Sequence, residues 1–535
     1  MRFLSGVALT LCANVSVLLA AAVSSGTKQI SKTPPKGASD KIAASYLSYS
    51  IELGDFPLFA GTLSRSSKTS LVNLTELGNK SNPNVFSTNL LKNLGAIQGA
   101  MPILRVGGNT QDRVLYDESV KNATHPIDPD TIHIGPSFYE SYSIFPDTKY
   151  IQGFNLGKNG SDARASLLTT VTKSCEALGK DKLLYWEYGN EPDLYNNNGK
   201  RGGYTEEQYV KEWLNGTAAI KEQLKKSCPD LLSDDYYGYM APSWSGAGEG
   251  SGSLSVKTAF TDGLNQDKDI RQISVHNYID GATNPGVTLQ ATLMNHTRTV
   301  QSVSNQKTLA AALQKYNTPY VLGEFNSLYN GGKGGVSDSF GAALWGVDFT
   351  LYCAASGIYR THMHMGAESP YEPWHPVSSE SGGPPATKAP YYGNIMVAMM
   401  IGDSSRAGTQ IAEIPLGKDE EIAYAAYEQG ALRRIAIINM QEYNSTDSTP
   451  RKSIKYSFQV DGSAGKTAHV QRLFAEGSDV KTGVTFDGTS YDYELKQGKP
   501  VHVGDKSSGP ATVRVDKKGL LTVEVQQSEA VILAL

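Results

Sequence analysis

The feature that most limits what this chain can fold into is a regular alternation of short apolar runs with longer amphipathic stretches. The runs are YLSYSIEL (46–53), PILRV (102–106), YIQGFNL (150–156), LLYWEY (183–188), YYGYMA (236–241), QISVHNY (272–278), PYVLGEF (319–325) and GIYRTHM (357–363), eight in all. Residues 86–97, 161–178, 205–226, 253–265, 306–316 and 337–356 carry apolar side chains at helical spacing, and several of these stretches open on Ser, Thr or Asp. Such alternation predicts an α/β fold, a (β/α)8 TIM barrel over residues 43–400, with chemistry at the C-terminal ends of the strands. An open doubly wound sheet is the competing arrangement, but no G-x-G-x-x-G turn follows the first run to make a nucleotide site.

After residue 400 the pattern changes to EIAYAAYE, LRRIAIINM, KSIKYSFQV, AHVQRLFAE, SYDYELK, ATVRV, LLTVEVQ and AVILAL, separated by turn residues. Short strands without helices predict a β-sandwich domain over 401–535, able to take in an N-terminal strand from 25–42. A length of 535 residues exceeds one ordinary core and suits two domains. The Pro, Gly and Ser-rich segment 375–390 reads as a long loop beside the last barrel strand.

Residues 1–24 read as a secretory signal peptide, one Arg followed by an apolar stretch and small residues near Ala22 and Ser24. No second long apolar run follows, so the expected product is an extracellular, soluble monomer without a membrane partner. A net charge of -4 supplies no basic field for nucleic acid. N-x-S/T sequons at Asn73, Asn79, Asn122, Asn159, Asn215, Asn295 and Asn444 suit a secreted glycoprotein. Cys175 and Cys228 end two successive predicted helices and are expected to pair, whereas Cys353, inside an apolar helix, is expected to be a buried thiol.

Two glutamates stand just past strand ends: Glu191, after LLYWEYGN, and Glu324, closing YVLG. On the fourth and seventh strands they lie on opposite arcs of a barrel and can converge across its mouth, as a pair that hydrolyses a glycosidic bond must. Glu187, four residues earlier, is expected to be a structural hydrogen-bond partner, and Asp193 a turn or cap residue. Asn190 offers an amide to a sugar 2-hydroxyl. His362 and His364, in THMHM, share one side of the eighth strand; without an acidic third ligand nearby they are read as pocket walls, and no metal is expected.

GNEP after the fourth strand and GEFN after the seventh resemble the acid/base and nucleophile signatures of clan A glycoside hydrolases. LRVGGNTQD, WEYGNEPD, VHNY and LGEFNSLYNGGKGGVSDSF narrow the resemblance to family 79, which contains β-glucuronidases and heparanase. The likeness spans the whole predicted barrel. It implies Glu191 as acid/base and Glu324 as nucleophile of a retaining hydrolase of terminal glucuronate or its 4-O-methyl form, without a cofactor. By the same resemblance Tyr278 holds Glu324, Gly331, Gly332 and Tyr371 grip the glucuronate carboxylate, and Asn109 and Asp112 reach distal hydroxyls. Arg105 is expected to shape the nucleophile's field, and Tyr329 to pack the glycine turn. Two other readings stay open: an endo-β-glucuronidase of heparanase type, and a carbohydrate-binding barrel without turnover. The cations of NNNGKRGG (196–203) are too few for the basic cleft that the first requires.

Overall fold

The computed structural model describes residues 23–24, 26–61, 81–120, 124–128, 130–248, 254–379, 381–504, 506–507 and 509–535. The predicted signal segment up to residue 22 and the sequons at Asn73, Asn79 and Asn122 lie outside the described residues.

Eight parallel strands close into a barrel in sequence order: β1 (Leu47–Glu52), β2 (Leu104–Gly107), β3 (Tyr150–Phe154), β4 (Leu183–Tyr188), β5 (Tyr239–Trp244), β6 (Ile270–Gly281), β7 (Tyr320–Tyr329) and β8 (Arg360–Met365), with β8 paired back to β1. The predicted fold class is therefore the observed one. Helices α1 (Val85–Gln98), α2 (Ser161–Lys182), α3 (Glu206–Ser227), α4 (Val256–Thr261), α5 (His296–Leu313), α6 (Phe340–Ala355) and α7 (Ala389–Ile401) surround it. Their starts follow from local chemistry. Asn84, Ser255 and Asn295 accept backbone N–H bonds as N-caps, and Thr205 forms a reciprocal capping box with Gln208. Cys175, in the second half of α2, and Cys228, the C-cap of α3, are joined by a disulfide.

The bore of the barrel is divided. Ile103, Ile151, Met240 and Val321 form a separate apolar cluster. Another part of the bore is polar yet buried, holding Ser50, Arg105, Glu187, Ser243, Ser274, His276 and His362. Buried charges persist only when paired and hydrogen-bonded, and Arg105 and Glu187 in this layer are; His362 stands aside, reaching only the Tyr49 carbonyl among the described residues.

In the C-terminal domain a nine-stranded sheet faces a smaller one. The larger includes β9 (Thr409–Lys418), β10 (Glu421–Glu428), β11 (Ala431–Asn439), β13 (Thr467–Phe474) and β15 (Glu529–Ala534); the smaller pairs β12 (Ser453–Val460) with β14 (Leu520–Gln526). Lys28–Ile30 runs parallel to β12, so the chain's beginning is tied to its end. Ile435, Ile437, Val531 and Leu533 pack toward the smaller sheet, while Ala436, Ile438, Ala530 and Ile532 join the barrel's own core. That two-sided burial explains why IAII and AVILAL are continuous apolar runs, not alternating ones. Helices α6 and α7 are buried on nearly every face, as helices between two layers must be.

Three expectations need correction. SYDYELK is not a strand: Thr489–Ser490 makes a short pairing and Tyr493–Lys496 a helical turn. The predicted loop 375–390 pairs Trp374–His375 with Ala386–Thr387 and runs directly into α7, a helix whose uniform apolarity hides any amphipathic period. Strands β6 and β7 extend to Gly281 and Tyr329, several residues past their apolar runs, because they continue pairing with each other beyond the barrel rim.

Candidate active site

Side chains two apart on a barrel strand share a face, so Ser50 and Glu52 on β1, His276 and Tyr278 on β6, and His362 and His364 on β8 enter the bore as pairs. The outer member of each pair, Glu52, Tyr278 and His364, lines a cavity of about 1260 Å³ together with Glu191, Glu324 and Tyr371.

Arg105, fully buried on β2, organises the layer beneath. Its Nε donates to Glu187 at 2.8 Å, Nη1 to Ser50 at 2.9 Å and Glu324 at 2.6 Å, and Nη2 to Asn190 at 2.7 Å. Ser243 Oγ donates to the other oxygen of Glu187 at 2.5 Å, so Glu187 is consumed within the protein, in the structural position expected of it. A planar guanidinium can hold three elements at fixed angles, which an ammonium cannot.

Glu324 accepts Arg105 on Oε2 and the Tyr278 hydroxyl on Oε1 at 2.7 Å. His364 Nδ1 stands 3.5 Å from Oε2, with its Nε2 3.5 Å from Glu52. Burial alone would raise the Glu324 pKa, but His364, His276, Arg105 and the Tyr278 hydrogen bond outweigh it and hold the carboxyl well below the usual range. Burial pushes the His364 imidazole down, but Glu324 and Glu52, which flank it, outweigh that and hold its pKa above the usual value.

Glu191 presents a different environment. Its backbone is left-handed (φ 47°, ψ 50°), a conformation costly for a side-chain-bearing residue, and its N–H donates to the Ser243 carbonyl at 2.9 Å. Its Oε1 meets His276 Nδ1 at 2.8 Å. Burial, then the negative charge of Glu324, push Glu191 up to about 8. His276 is itself pushed down to about 4, first by burial, so at neutral pH it is an uncharged neighbour and offers no cation to ionise Glu191. At neutral pH the ionised state of Glu324 therefore rests on Arg105, His364 and Tyr278. One oxygen each of Glu191 and Glu324 lies within 4.8 Å of the other.

The structure distributes the remaining sequence-selected residues around this pair. Asn190 is buried, accepting Arg105 and donating through Nδ2 to Asn109 at 3.2 Å. Asn109 is exposed at the cavity wall. Asp112 is fully buried and accepts the N–H groups of Leu156, Gly157 and Asn190 together with the Tyr195 hydroxyl at 2.5 Å, with Lys200 Nζ at 3.5 Å. That saturation makes it an organiser of the loops after β3 and β4, leaving Asn109 the member of the pair better placed for a ligand. Asp193 does not cap its own turn: it accepts the N–H and hydroxyl of Ser245, tying the loop after β4 to that after β5.

Past β7, Asn330, Gly331 and Gly332 follow one another at φ 65°, 81° and 85°. A Cβ on Gly332 would lie 2.9 Å from the Tyr371 backbone nitrogen, so glycine there allows the loops after β7 and β8 to touch. Gly331 faces the cavity, and the Tyr371 ring lies beside Tyr278 and His364, with centroids 6.3 and 6.0 Å away. Tyr329 departs from expectation: it is 42% exposed at the cavity mouth, its hydroxyl accepting from Asn284 at 3.1 Å. Glu52, His276 and the ionic role of His364 escaped the sequence reading. Glu52 is the last residue of β1, an acid at a strand end as Glu191 lies just past β4, whereas Glu324 sits inside β7; the period of two from Tyr278 would have found His276.

The arrangement offers one protonated and one ionised carboxyl at close range. Residues 423–532 match the glycosyl hydrolase family 79 C-terminal β domain. A β-glucuronidase of Aspergillus niger is 46% identical, with 96% of this chain and 94% of that protein covered, and one of Neurospora crassa is 43% identical, with 87% and 88% covered. Among solved structures, a 4-O-α-L-rhamnosyl-β-D-glucuronidase from Fusarium oxysporum superposes with a TM-score of 0.75 at 22% identity, covering 95% of this chain and all of that one, a likeness of fold. With near full-length identity to those two relatives and the family's own β domain beside the barrel, the chain belongs to glycoside hydrolase family 79.

Proposed function

We infer that this chain is a β-glucuronidase that removes terminal β-linked glucuronate, or its 4-O-methyl form, by a retaining double displacement, and that it is secreted. The observation that carries the mechanism is the opposed protonation of two carboxyls with oxygens within 4.8 Å. Retaining enzymes hold their carboxyls about 5–5.5 Å apart, whereas inverting ones leave about 6.5–9.5 Å for a water. Ionised Glu324 attacks the anomeric carbon as Glu191 protonates the departing glycosidic oxygen. Esterification then removes the negative charge of Glu324, the pKa of Glu191 falls, and its carboxylate accepts a proton from the water that cleaves the ester.

Exo action is supported by the state of two of the cations that line the cavity. Arg201 is committed to Glu212 and to the carbonyls of Leu156 and Gly157, and Lys200 lies against Asp112 and the Tyr195 ring. Among the described residues no helix is long and apolar enough to cross a membrane.

Release of chromophore from an aryl β-glucuronide, set beside the β-glucoside and β-galactoside, tests the activity. Glucuronide preference is expected; preference for the glucoside would overturn the assignment of Gly331, Gly332 and Tyr371 to the carboxylate. Tyr371→Phe should lower kcat/KM for the glucuronide by roughly tenfold while sparing the glucoside, as loss of one hydrogen bond to a charged group implies.

A further inference from the structure

Four sequons fall on described residues, and their side chains have different fates. Asn295 caps α5, accepting the Arg298 N–H at 3.1 Å. Asn215 lies inside α3 and accepts Arg164 Nη2 at 3.0 Å. Asn444, on the β domain, accepts from Ser478 Oγ at 3.2 Å. Asn295 and Asn215 are held through Oδ1, which fixes the side chain; Asn159, exposed as Asn215 is, lies on the loop after β3 and has no side-chain hydrogen bond among the described residues. The next residue, Gly160, adopts φ 92° with no heavy atom within 4 Å of where a Cβ would sit, leaving the Asn159-Gly160-Ser161 acceptor open from outside.

Position gives this acceptor a consequence. Asn159 belongs both to the rim of the catalytic cavity and to an adjoining groove of about 270 Å³ between the N-terminal halves of α2 and α3. Leu167 and Tyr188 line that groove with Arg164 and Lys211. An apolar face beside charged donors is the surface a pyranose with an acetamido group can lie against. Lys158 and Arg201 line both hollows, so anything seated in the groove adjoins the path to Glu191.

We propose that Asn159 carries an N-linked glycan whose first sugars lie in this groove and extend the rim of the catalytic cavity, so that the glycan limits access by large glucuronide-bearing chains. The modification joins Asn159 Nδ2 to the anomeric carbon of a lipid-diphosphate-linked oligosaccharide. The anomeric C–O bond breaks, the lipid diphosphate departs with its electrons, and the amide loses one proton. The inference rests on the reading of the chain as a secreted glucuronidase.

Enzyme collected from the medium of a fungal host is digested and the peptide bearing Asn159 is weighed, with Asn159→Gln and Ser161→Ala as two independent ways to abolish the acceptor. The peptide is expected to carry hexosamine and hexose. Both variants should raise kcat/KM on a polysaccharide capped with β-glucuronate by about fivefold while leaving an aryl β-glucuronide within about twofold. An unmodified peptide overturns the proposal, as does a modified one whose removal leaves the polysaccharide rate unchanged or raises both rates alike. Absence of aryl glucuronide turnover in every form would defeat the glucuronidase reading instead, while the peptide mass still decides occupancy.

Discussion

Glu324 and Glu191 are the same side chain, buried in the same cavity within 4.8 Å of each other, yet the barrel holds them in opposite protonation states. Around Glu324, a guanidinium, a phenolic hydroxyl and the His364 imidazole, whose pKa is raised, replace the water lost on burial. Around Glu191 the polar neighbour is an imidazole that burial keeps neutral, and the closest charge is the wrong sign. Burial is common to both; the difference lies in the charged partners, and these arrive on different strands. Arg105 comes from β2, Tyr278 from β6 and His364 from β8, all within reach of β7. The nucleophile and the proton donor are thus made by what surrounds the carboxyls.

The strongest way to break that comparison is Glu324→Gln, which removes the attacking oxygen; kcat should fall on the order of 10⁴-fold or more. A smaller loss means that another group attacks, and would overturn the assignment. Glu191→Ala should cost about 10²–10⁴-fold with poor leaving groups and far less with good ones, because a proton donor matters in proportion to the basicity of the departing oxygen. Equal losses for both would remove Glu191 from that role. Tyr278→Phe takes away one of the two hydrogen bonds that hold Glu324, and kcat should fall roughly 10- to 100-fold. Because that bond stabilises the ionised form, its loss raises the Glu324 pKa, so the acidic limb of the rate profile should move to higher pH. A fixed limb would mean that Tyr278 acts only by packing.

How much of this was legible depended on whether the signal was local. Glu191 and Glu324 were visible because GNEP and GEFN place an acid just past a strand, and barrel geometry supplies the rest. Arg105 was read as an ion-pair partner, but not as the group that joins Glu187, Asn190, Ser50 and Glu324, since those four are scattered over residues 50–324. Asp112 resembled a ligand for substrate, and its five donors, Asn190 of GNEP among them, are spread over residues 156–200, so no local pattern ties them to it. Helix α7 went unread for the opposite reason: YYGNIMVAMMI is apolar on all sides because it lies between the barrel and the β domain, and a helix without a polar face has no period to detect.

The smallest effect sharpens the contrast without touching turnover. In the folded protein Glu191 keeps its proton up to about 8, whereas the unfolded chain releases it near the ordinary carboxyl value. The native state therefore binds more protons than the unfolded one between those values, and stability falls as pH rises through that window. Once Glu191 ionises, it faces Glu324 with no cation of its own, and the full cost is present above about 8. Glu191→Gln is neutral throughout and escapes this loss. Its thermal midpoint relative to the unaltered protein should be higher at about pH 9 than at about pH 5, by about 3–4 °C in a chain of this size. Glu324→Gln carries its signature at the acid end instead: its carboxylate contributes stability that is present above the ordinary carboxyl value and lost as pH falls through its depressed one, so the cost of replacing it should shrink between about pH 5 and about pH 3. A Glu191→Gln difference that does not grow with pH, or a Glu324→Gln cost that does not shrink toward acid, would mean that the pair is not polarised, and the division of labour between β4 and β7 would have to be redrawn.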